Sequence, residues 1–374
     1  MPAAASRIRA ISVAGDDLAV RVSTDEDPAE DAPILLPSLG EYPVYGDFSY
    51  EYMIADKLRT DAYRAAVRAL APGKVVLDIG TGQDALWAVT AANAGAARVY
   101  AIEVIPEAAD QARRTVEAAG LAGKITILDG LSAEIELPER VDVLVSEIIG
   151  AIGGSEGAEY VLDDARRRFL KPGGDSIPHR CVTTVAAVDT STVLPDGELA
   201  FSPLFLPDLE QIFASVGHPF DLRLCLLGLD QAEFLSPRAE VEELRFTAPM
   251  AGNGTDRVEL PVTKAGRLHG LALGIRLWIT GEEDQPIDSL AQQTSWCPIY
   301  VPLSLEGIAV ARGDRITLEL RRSLSDDGVH PDYELTGRIL RAGRSTVDIS
   351  WHSPHHGTTF RGSAPYRLLF PAQD

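Results

Sequence analysis

Lysine is scarce in this chain of 374 residues: five of its 34 basic side chains are lysine, a bias with no functional reading of its own. Cysteine is scarcer still. Cys181, Cys225 and Cys297 lie far apart with no CxxC pair, which argues against a disulfide framework or a structural zinc site and predicts a reducing, cytoplasmic home. No apolar run approaches the roughly 20 residues that a spanning helix needs. The opening MPAAASRIRAISVAGDD lacks the charged end and apolar stretch of a secretory leader, in keeping with that location. Positive charge is also in deficit. With 55 acidic against 34 basic residues and a formal net charge of −21, an anionic membrane or a nucleic acid would repel the chain, so neither is expected as a partner. A cationic partner would be attracted, although acidity also serves simply to keep a protein soluble. What is present is ordinary globular composition, 45% apolar and 24% charged, which excludes the disordered and collagenous classes. The length suits two or three domains at about 150 residues each.

Along the chain the texture changes twice. Residues 1–40 read as an N-terminal extension: a short strand pair, then the acidic run TDEDPAEDAP (24–33) as a solvated loop. Over 50–69, apolar residues at Met53, Ile54, Leu58, Ala62, Ala65 and Ala66 recur at a helical period. From 74 onward strands and helices alternate. KVVLDI, ARVYAIE, KITILDG and RVDVLVSE are strands; DALWAVTAANAG, PEAADQARRTVEAAG and AEYVLDDARRRFL are helices, and KPGG is a turn. That alternation predicts a Rossmann-like parallel sheet with helices on both faces over 41–178. Past 179 short β-rich runs broken by Gly, Pro and Asp predict a mostly antiparallel domain to 374, interrupted over 200–235 by a weakly periodic, helical excursion.

Two places carry chemistry. VVLDIGTG (75–82) is an apolar strand ending in Asp78, Gly80 and Gly82, followed by a helix. Glycines there let backbone N–H groups approach a ligand at a helix start. Glu103 ends the next strand, 23 residues after Gly80, where an acid accepts hydrogen bonds from ribose hydroxyls. GTGQDA also fits the dinucleotide pattern GxGxxA, so a nicotinamide enzyme is the rival reading. Asp78 two residues before the first glycine, as in the VLDxGxG of class I methyltransferases, and LKPGG (170–174) favour S-adenosylmethionine (SAM) instead. The second place is SEIIGAIGGSE. Glu147 and Glu156 stand nine residues apart across a loop containing Gly150, Gly153 and Gly154. Two close carboxylates repel unless a cation lies between them, and a planar guanidinium with five donors suits that place. Taken singly, either glutamate also reads as a solvated loop residue.

At this point the sequence resembles the protein arginine methyltransferases. SEIIGAIGGSE (146–156) has the spacing of their double-glutamate loop, and MIADKLRTDAY (53–63) is similar to their MLxDxxRTxxY helix at Met53, Asp56, Arg59, Thr60 and Tyr63. AIEV (101–104), AEIELPERVDVLVSE (133–147), ELRFTAP (243–249), RLHGLALGIRLWIT (267–280) and QTSWCPIYVPL (293–303) follow in the family's order. The resemblance covers about 45–345. It implies a class I methyltransferase domain followed by a mostly antiparallel β-barrel, with a helical dimerisation arm at about 200–235 and a homodimer. It also implies SAM as the cofactor, and arginine, or a small molecule or peptide carrying a guanidino group, as the partner. On these residues it implies that Arg59 holds the methionine carboxylate, that Gly80 and Gly82 admit the cofactor, and that Glu103 binds its ribose. Glu147 and Glu156 would grip the guanidinium, and Met53 would line the space beside the methyl. Asp56, Ser295 and Trp296 would border the substrate.

The sequence departs from the family in four ways. A third loop glycine is replaced by Asp84, an acid well suited to capping a helix. The glutamate that meets the adenine falls at Ala133, beside Glu134. The Thr-His-Trp loop reads Thr294-Ser295-Trp296, and serine is no base near neutral pH. The glutamate loop carries Ala151 and Ser155 where aromatics are usual, so a different substrate channel is expected. The last two argue for a specialised enzyme acting on free arginine, a guanidino natural product or a modified peptide. Ser295 and the altered loop also suit methylation of another hydroxyl or amine, while Asp84 and Ala133 suit a noncatalytic SAM-binding scaffold.

Overall fold

The computed structural model describes residues 6–13, 15–24, 34–38, 47–194, 199–216, 222–357 and 359–372. The expected acidic loop lies almost wholly outside them, as does part of the expected arm (217–221).

Five parallel strands make the first sheet, in the order Ile125–Asp129, Arg98–Glu103, Val75–Ile79, Val141–Ser146 and Leu170–Ile177. The apolar runs of the three inner strands are buried on both faces, as a parallel sheet covered by helices requires; Val76, Leu77, Val99, Ala101 and Leu144 are all inaccessible. The chain builds outward from Val75–Ile79 in one direction, then returns to its other side with Val141–Ser146. That reversal opens a crevice at the strands' C-terminal ends, where α/β sheets take their ligands. Asp78 pairs in register with Val145 and Ile79 with Ser146, so the glycine loop and the glutamate loop leave the sheet side by side.

Five helices accompany this sheet: α1 (Asp47–Ala55), α2 (Lys57–Leu70), α3 (Leu86–Asn93), α4 (Pro106–Ala118) and α5 (Ala158–Arg168). The single helix expected over 50–69 is thus two, broken at Asp56, whose carboxylate caps α2 by accepting the Arg59 N–H at 3.0 Å. The expected apolar positions coincide only in part with the buried face, at Ala66 and the half-buried Ala62. Ile54 and Leu58 are 40% and 44% exposed, whereas α2 buries Arg59, Thr60, Tyr63, Ala66 and Val67. Arg59 goes inside because an anion meets it there. Asp84, expected to cap α3, does not; the cap position is Ala85, at φ +45°, and the buried Asp78 carboxylate accepts the Ala88 N–H instead. KPGG is no turn either. It runs within the strand Leu170–Ile177, whose register slips between Val141 and Val143 and so absorbs the extra residues as a bulge.

The second half is antiparallel and forms the β-barrel domain. One sheet orders Ala239–Arg245, Arg180–Val188, Gly270–Trp278, Ile299–Pro302, Leu224–Leu227 and Ile34–Pro37; another orders Gly254–Pro261, Arg315–Leu324, Pro331–Leu340 and Val347–Ser353. Ile316, Leu318 and Leu320 alternate inward from the strand Arg315–Leu324 and meet Val185, Leu271 and Leu273 of the facing sheet in one core.

Much of the stretch expected as a separate extension is built into this half. Ile34–Pro37 pairs antiparallel with Leu224–Leu227, and the hairpin Ser6–Val13/Asp16–Ser23 lies on α6 (Leu206–Val216), inside the expected arm. Ile11, Val20 and Val22 of the hairpin share a core with Leu209, Ile212 and Phe213, and with Leu369 of α7 (Ala364–Leu369). No helix among the described residues is long and apolar enough to cross a membrane.

Candidate active site

Gly80 and Gly82 turn the chain out of the central strand at φ +73° and +66°, a left-handed conformation that glycine alone adopts freely. A Cβ at Gly80 would press on Ile148 Cγ2 at 3.0 Å. Glu103 folds back onto this loop. Its Oε2 accepts the Gly82 N–H at 2.8 Å and its Oε1 the Ile105 N–H at 3.0 Å, leaving the side chain nearly inaccessible. Tyr50 of α1 packs over Gly82, within 3.6 Å of where a Cβ would stand. Burial, then the nearby Glu103 and Asp84 carboxylates, push its phenol up to about 12.

Asp78 lies beneath the loop, fully buried. Its Oδ2 accepts from the Thr81 hydroxyl at 2.7 Å and the Ala88 N–H at 3.0 Å, while its Oδ1 has no partner among the described residues. Burial pushes this carboxyl up to about 7, against the pull of those two donors. Between about pH 4 and 7 the unfolded chain would have lost the proton that the folded one keeps, so stability falls as pH rises through that window. At about 1.4 kcal/mol per unit over roughly three units, the fall is of order 4 kcal/mol. Asp78→Asn has no such titration. Urea unfolding from pH 4 to 8 is therefore expected to show wild-type stability declining relative to the variant; parallel curves would place the carboxyl at its ordinary value.

Glu147 heads the second loop, its side chain 8% exposed, and pairs with the equally buried Arg59 guanidinium. Arg59 also donates from Nη1 to the Met53 carbonyl at 2.7 Å, and its Nε has no partner among the described residues. Burial pushes the Glu147 carboxyl up from its ordinary value, and Arg59 pulls it back. Glu156 is partly buried at the far end of the loop, immediately before Gly157, the cap residue of α5.

Asp56 Oδ2 accepts both the Ser295 N–H at 2.7 Å and the Ser295 hydroxyl at 3.0 Å, tying α2 to the barrel. Trp296 Nε1 donates to the Ile149 carbonyl at 2.7 Å, and its ring lies 5.9 Å from the Arg59 guanidinium carbon. Structure therefore gathers Met53, Asp56, Arg59, Glu147, Ser295 and Trp296 into one contiguous set, beside the Asp78–Gly80–Gly82–Glu103 set. Ala133 and Glu134 are exposed, their turn held by Arg168, which donates to the Ser132 and Ala133 carbonyls.

Sequence reasoning missed Tyr50 and a polar group from the barrel. The Glu242 carboxylate, 2% exposed, accepts from the Thr183 hydroxyl at 2.6 Å, the Tyr333 hydroxyl at 3.1 Å and the Gly154 N–H at 3.2 Å. A charged residue inside an alternating strand was its one visible signal.

The histidine-rich loop WHSPHHG supplies one further cluster. His355 stacks on His330 at 4.0 Å and 6°, with the Asp327 carboxylate 3.4 Å from His355 Nε2. Asp327 also pairs with His330 Nδ1 at 2.5 Å, and one ligand atom from each of Asp327, His330 and His355 lies within 4.8 Å of the others, a spacing that a metal ion could use. Burial, then His330, push His355 down to about 4.

Comparison with known proteins finds similarity to methyltransferases. The family model of the ribosomal protein L11 methyltransferase (PrmA) matches residues 62–174. The "Probable protein arginine N-methyltransferase 6" of Arabidopsis thaliana is 39% identical over 142 residues, 37% of this chain and 32% of that protein. The "Histone-arginine methyltransferase CARMER" of Drosophila yakuba is 27% identical over 388 residues, 92% of this chain and 70% of that protein. This chain thus spans about a third of the first of these relatives. In fold, the crystal structure of Arabidopsis thaliana protein arginine methyltransferase 10 superposes with a TM-score of 0.65 at 23% identity, covering 82% of this chain and 98% of that one. The Trypanosoma brucei PRMT1 enzyme-prozyme complex with AdoHcy gives 0.65 at 20%, covering 81% and 97%. With its two-domain fold and the double-glutamate loop in place, the chain is similar in fold and in motif to the protein arginine methyltransferases.

Proposed function

We propose that this protein is a SAM-dependent N-methyltransferase of arginine guanidino groups, free, peptide-borne or within a natural product. The observation that carries the reading is the glutamate loop leaving the sheet beside the glycine loop, with Glu147 paired to buried Arg59 between them. The crevice residues fit the cofactor. Arg59 Nε is a buried donor and Asp78 Oδ1 a buried acceptor, both without partners among the described residues, and an amino-acid end brings a carboxylate and an ammonium. Arg59 would hold that carboxylate, Gly80 and Gly82 would admit the cofactor against backbone, and Glu103, whose oxygens each keep a second lone pair, would accept from ribose hydroxyls. Met53 would border the methyl. SAM, when bound, supplies an electrophilic methyl group on a sulfonium sulfur.

The protein's own task is then to present a guanidinium, whose pKa exceeds about 12, as a nucleophile. Two like unit charges ~4 Å apart at an effective dielectric of 20 repel by about 4 kcal/mol. Glu147 and Glu156 offset that repulsion and hold the plane of the substrate. Unequal hydrogen bonds donated by the guanidinium to the two carboxylates localise charge on one nitrogen and leave the other free to attack, so catalysis is chiefly positioning and electrostatics. The proton leaves through Glu156 or water. Asp56, Ser295 and Trp296 line the barrel side of the substrate. The specialised-acceptor reading rests on Ser295 and on the aromatic-poor loop. Three cysteines without disulfide partners support a cytoplasmic setting. The proposed homodimer would use the arm at about 200–235, where Leu204 is 47% exposed.

Mass spectrometry after incubation with SAM and either free L-arginine or an arginine-rich peptide mixture tests the reading. A gain of one or two methyl masses on the guanidine is expected; methylation confined to hydroxyl or simple amine acceptors overturns it. Ser295→His is expected to leave kcat within a few-fold, because Ser295 already satisfies Asp56 and the proton route does not need a base there. A rise of tenfold or more in stopped-assay kcat would show the absent histidine to be limiting.

A further inference from the structure

The two glutamates of the site are gripped from different sides. Glu147 meets Arg59 on α2, within the methyltransferase domain. The loop that carries Glu156 is instead pinned by the barrel on both of its flanks. On one flank Gly153 N–H donates to the Thr183 hydroxyl at 2.9 Å, and that hydroxyl and the Gly154 N–H both donate to Glu242. On the other flank Glu159, in the first turn of α5, lies 3.4 Å from Arg322 Nη1, and the same nitrogen lies 3.6 Å from Glu242 Oε1. Glu156 stands between these anchors, and Gly157 next to it abuts Val329 of the barrel.

We infer that Glu242, bridged through Arg322 to Glu159, is the positioning residue that sets where Glu156 stands relative to Glu147. This role rests on the guanidine-clamp reading of those two residues. Burying a lone carboxylate costs several kcal/mol, so Glu242 is kept inside only because donors surround it. Those donors are two barrel hydroxyls, one arginine and one loop N–H; the loop is therefore part of what stabilises the buried charge, and moving it away exposes an unmet acceptor. The glycines have their explanation here. A Cβ at Gly154 would lie 3.0 Å from Glu242 Oε1, and one at Gly153 would lie 2.7 Å from Cys181 Sγ. Glycine lets the backbone reach the carboxylate, so the loop's composition answers to the barrel beneath it as well as to the channel above.

Glu242→Gln keeps the shape and removes the charge; Thr183→Val removes the relay to Gly153 and guards against a folding artefact at position 242. With an arginine-rich peptide mixture as probe, Glu242→Gln is expected to raise KM and lower kcat, reducing kcat/KM about tenfold or more, while SAM affinity by calorimetry stays within twofold. Amide hydrogen exchange over 147–157 should quicken about tenfold in Glu242→Gln and about threefold in Thr183→Val, with 57–70 unchanged. Unaltered exchange and kcat/KM in both variants overturn the role. If wild type methylates no arginine probe, the clamp reading fails, and exchange over 147–157 alone then decides whether Glu242 holds the loop.

Discussion

Glu156→Gln is expected to lower turnover of an arginine-rich peptide by about a thousandfold, with SAM affinity within threefold of wild type. The substitution keeps the shape and one acceptor but deletes one of the two charges proposed to face the guanidinium. The repulsion it leaves uncancelled, about 4 kcal/mol at ~4 Å and an effective dielectric of 20, corresponds to roughly three powers of ten in rate. Glu156 is not among the residues proposed to hold the cofactor, which is why cofactor affinity should hardly move. Single-turnover kinetics with labelled SAM, alongside calorimetry, separate the two quantities. Turnover equal to wild type would remove Glu156 from the clamp.

Glu147→Ala carries a second large effect, on folding as well as on rate. Both side chains of the Arg59–Glu147 pair are 8% exposed, and α2 is buried along that face. Truncating one member of a buried ion pair strands the other, at a cost of about 3–5 kcal/mol. The first thermal transition should therefore fall by several degrees in Glu147→Ala and much less in Glu147→Gln, whose amide oxygen still accepts from Arg59. Both variants should lose turnover. A melting profile unchanged by the alanine would mean that Arg59 finds its anion elsewhere in solution.

The parallel half was legible because its strands and helices are separated by clear periods and its glycines have steric reasons. Motif spacing brought Arg59, Glu147, Asp56 and Ser295 to notice, and the structure places them together, with their roles resting on the proposed function. Other features were hidden for physical causes. An isolated helix wheel cannot show that a charged Arg59 belongs inside, since its partner lies 88 residues away. Asp84 looked like a cap, but the left-handed Ala85 takes that position and the buried Asp78 meets the helix start. Glu242 gave only the weak signal of a charge within an alternating strand, because a buried carboxylate is recognised by its donors, which come from the strand at Thr183, the strand at Tyr333 and a loop of the other domain.

The edge strand Ile34–Pro37 closes one side of the barrel sheet, although the whole methyltransferase domain lies between it and its partner Leu224–Leu227. During synthesis, the early segment must wait for some 190 further residues before it has anything to pair with. Such distant pairing is slow and entropically demanding. The methyltransferase half, whose contacts are more local, is thus the natural first unit to fold, and the barrel matures last around it. A fragment beginning at 179 would lack that closing strand and show a raw sheet edge, an invitation to aggregate.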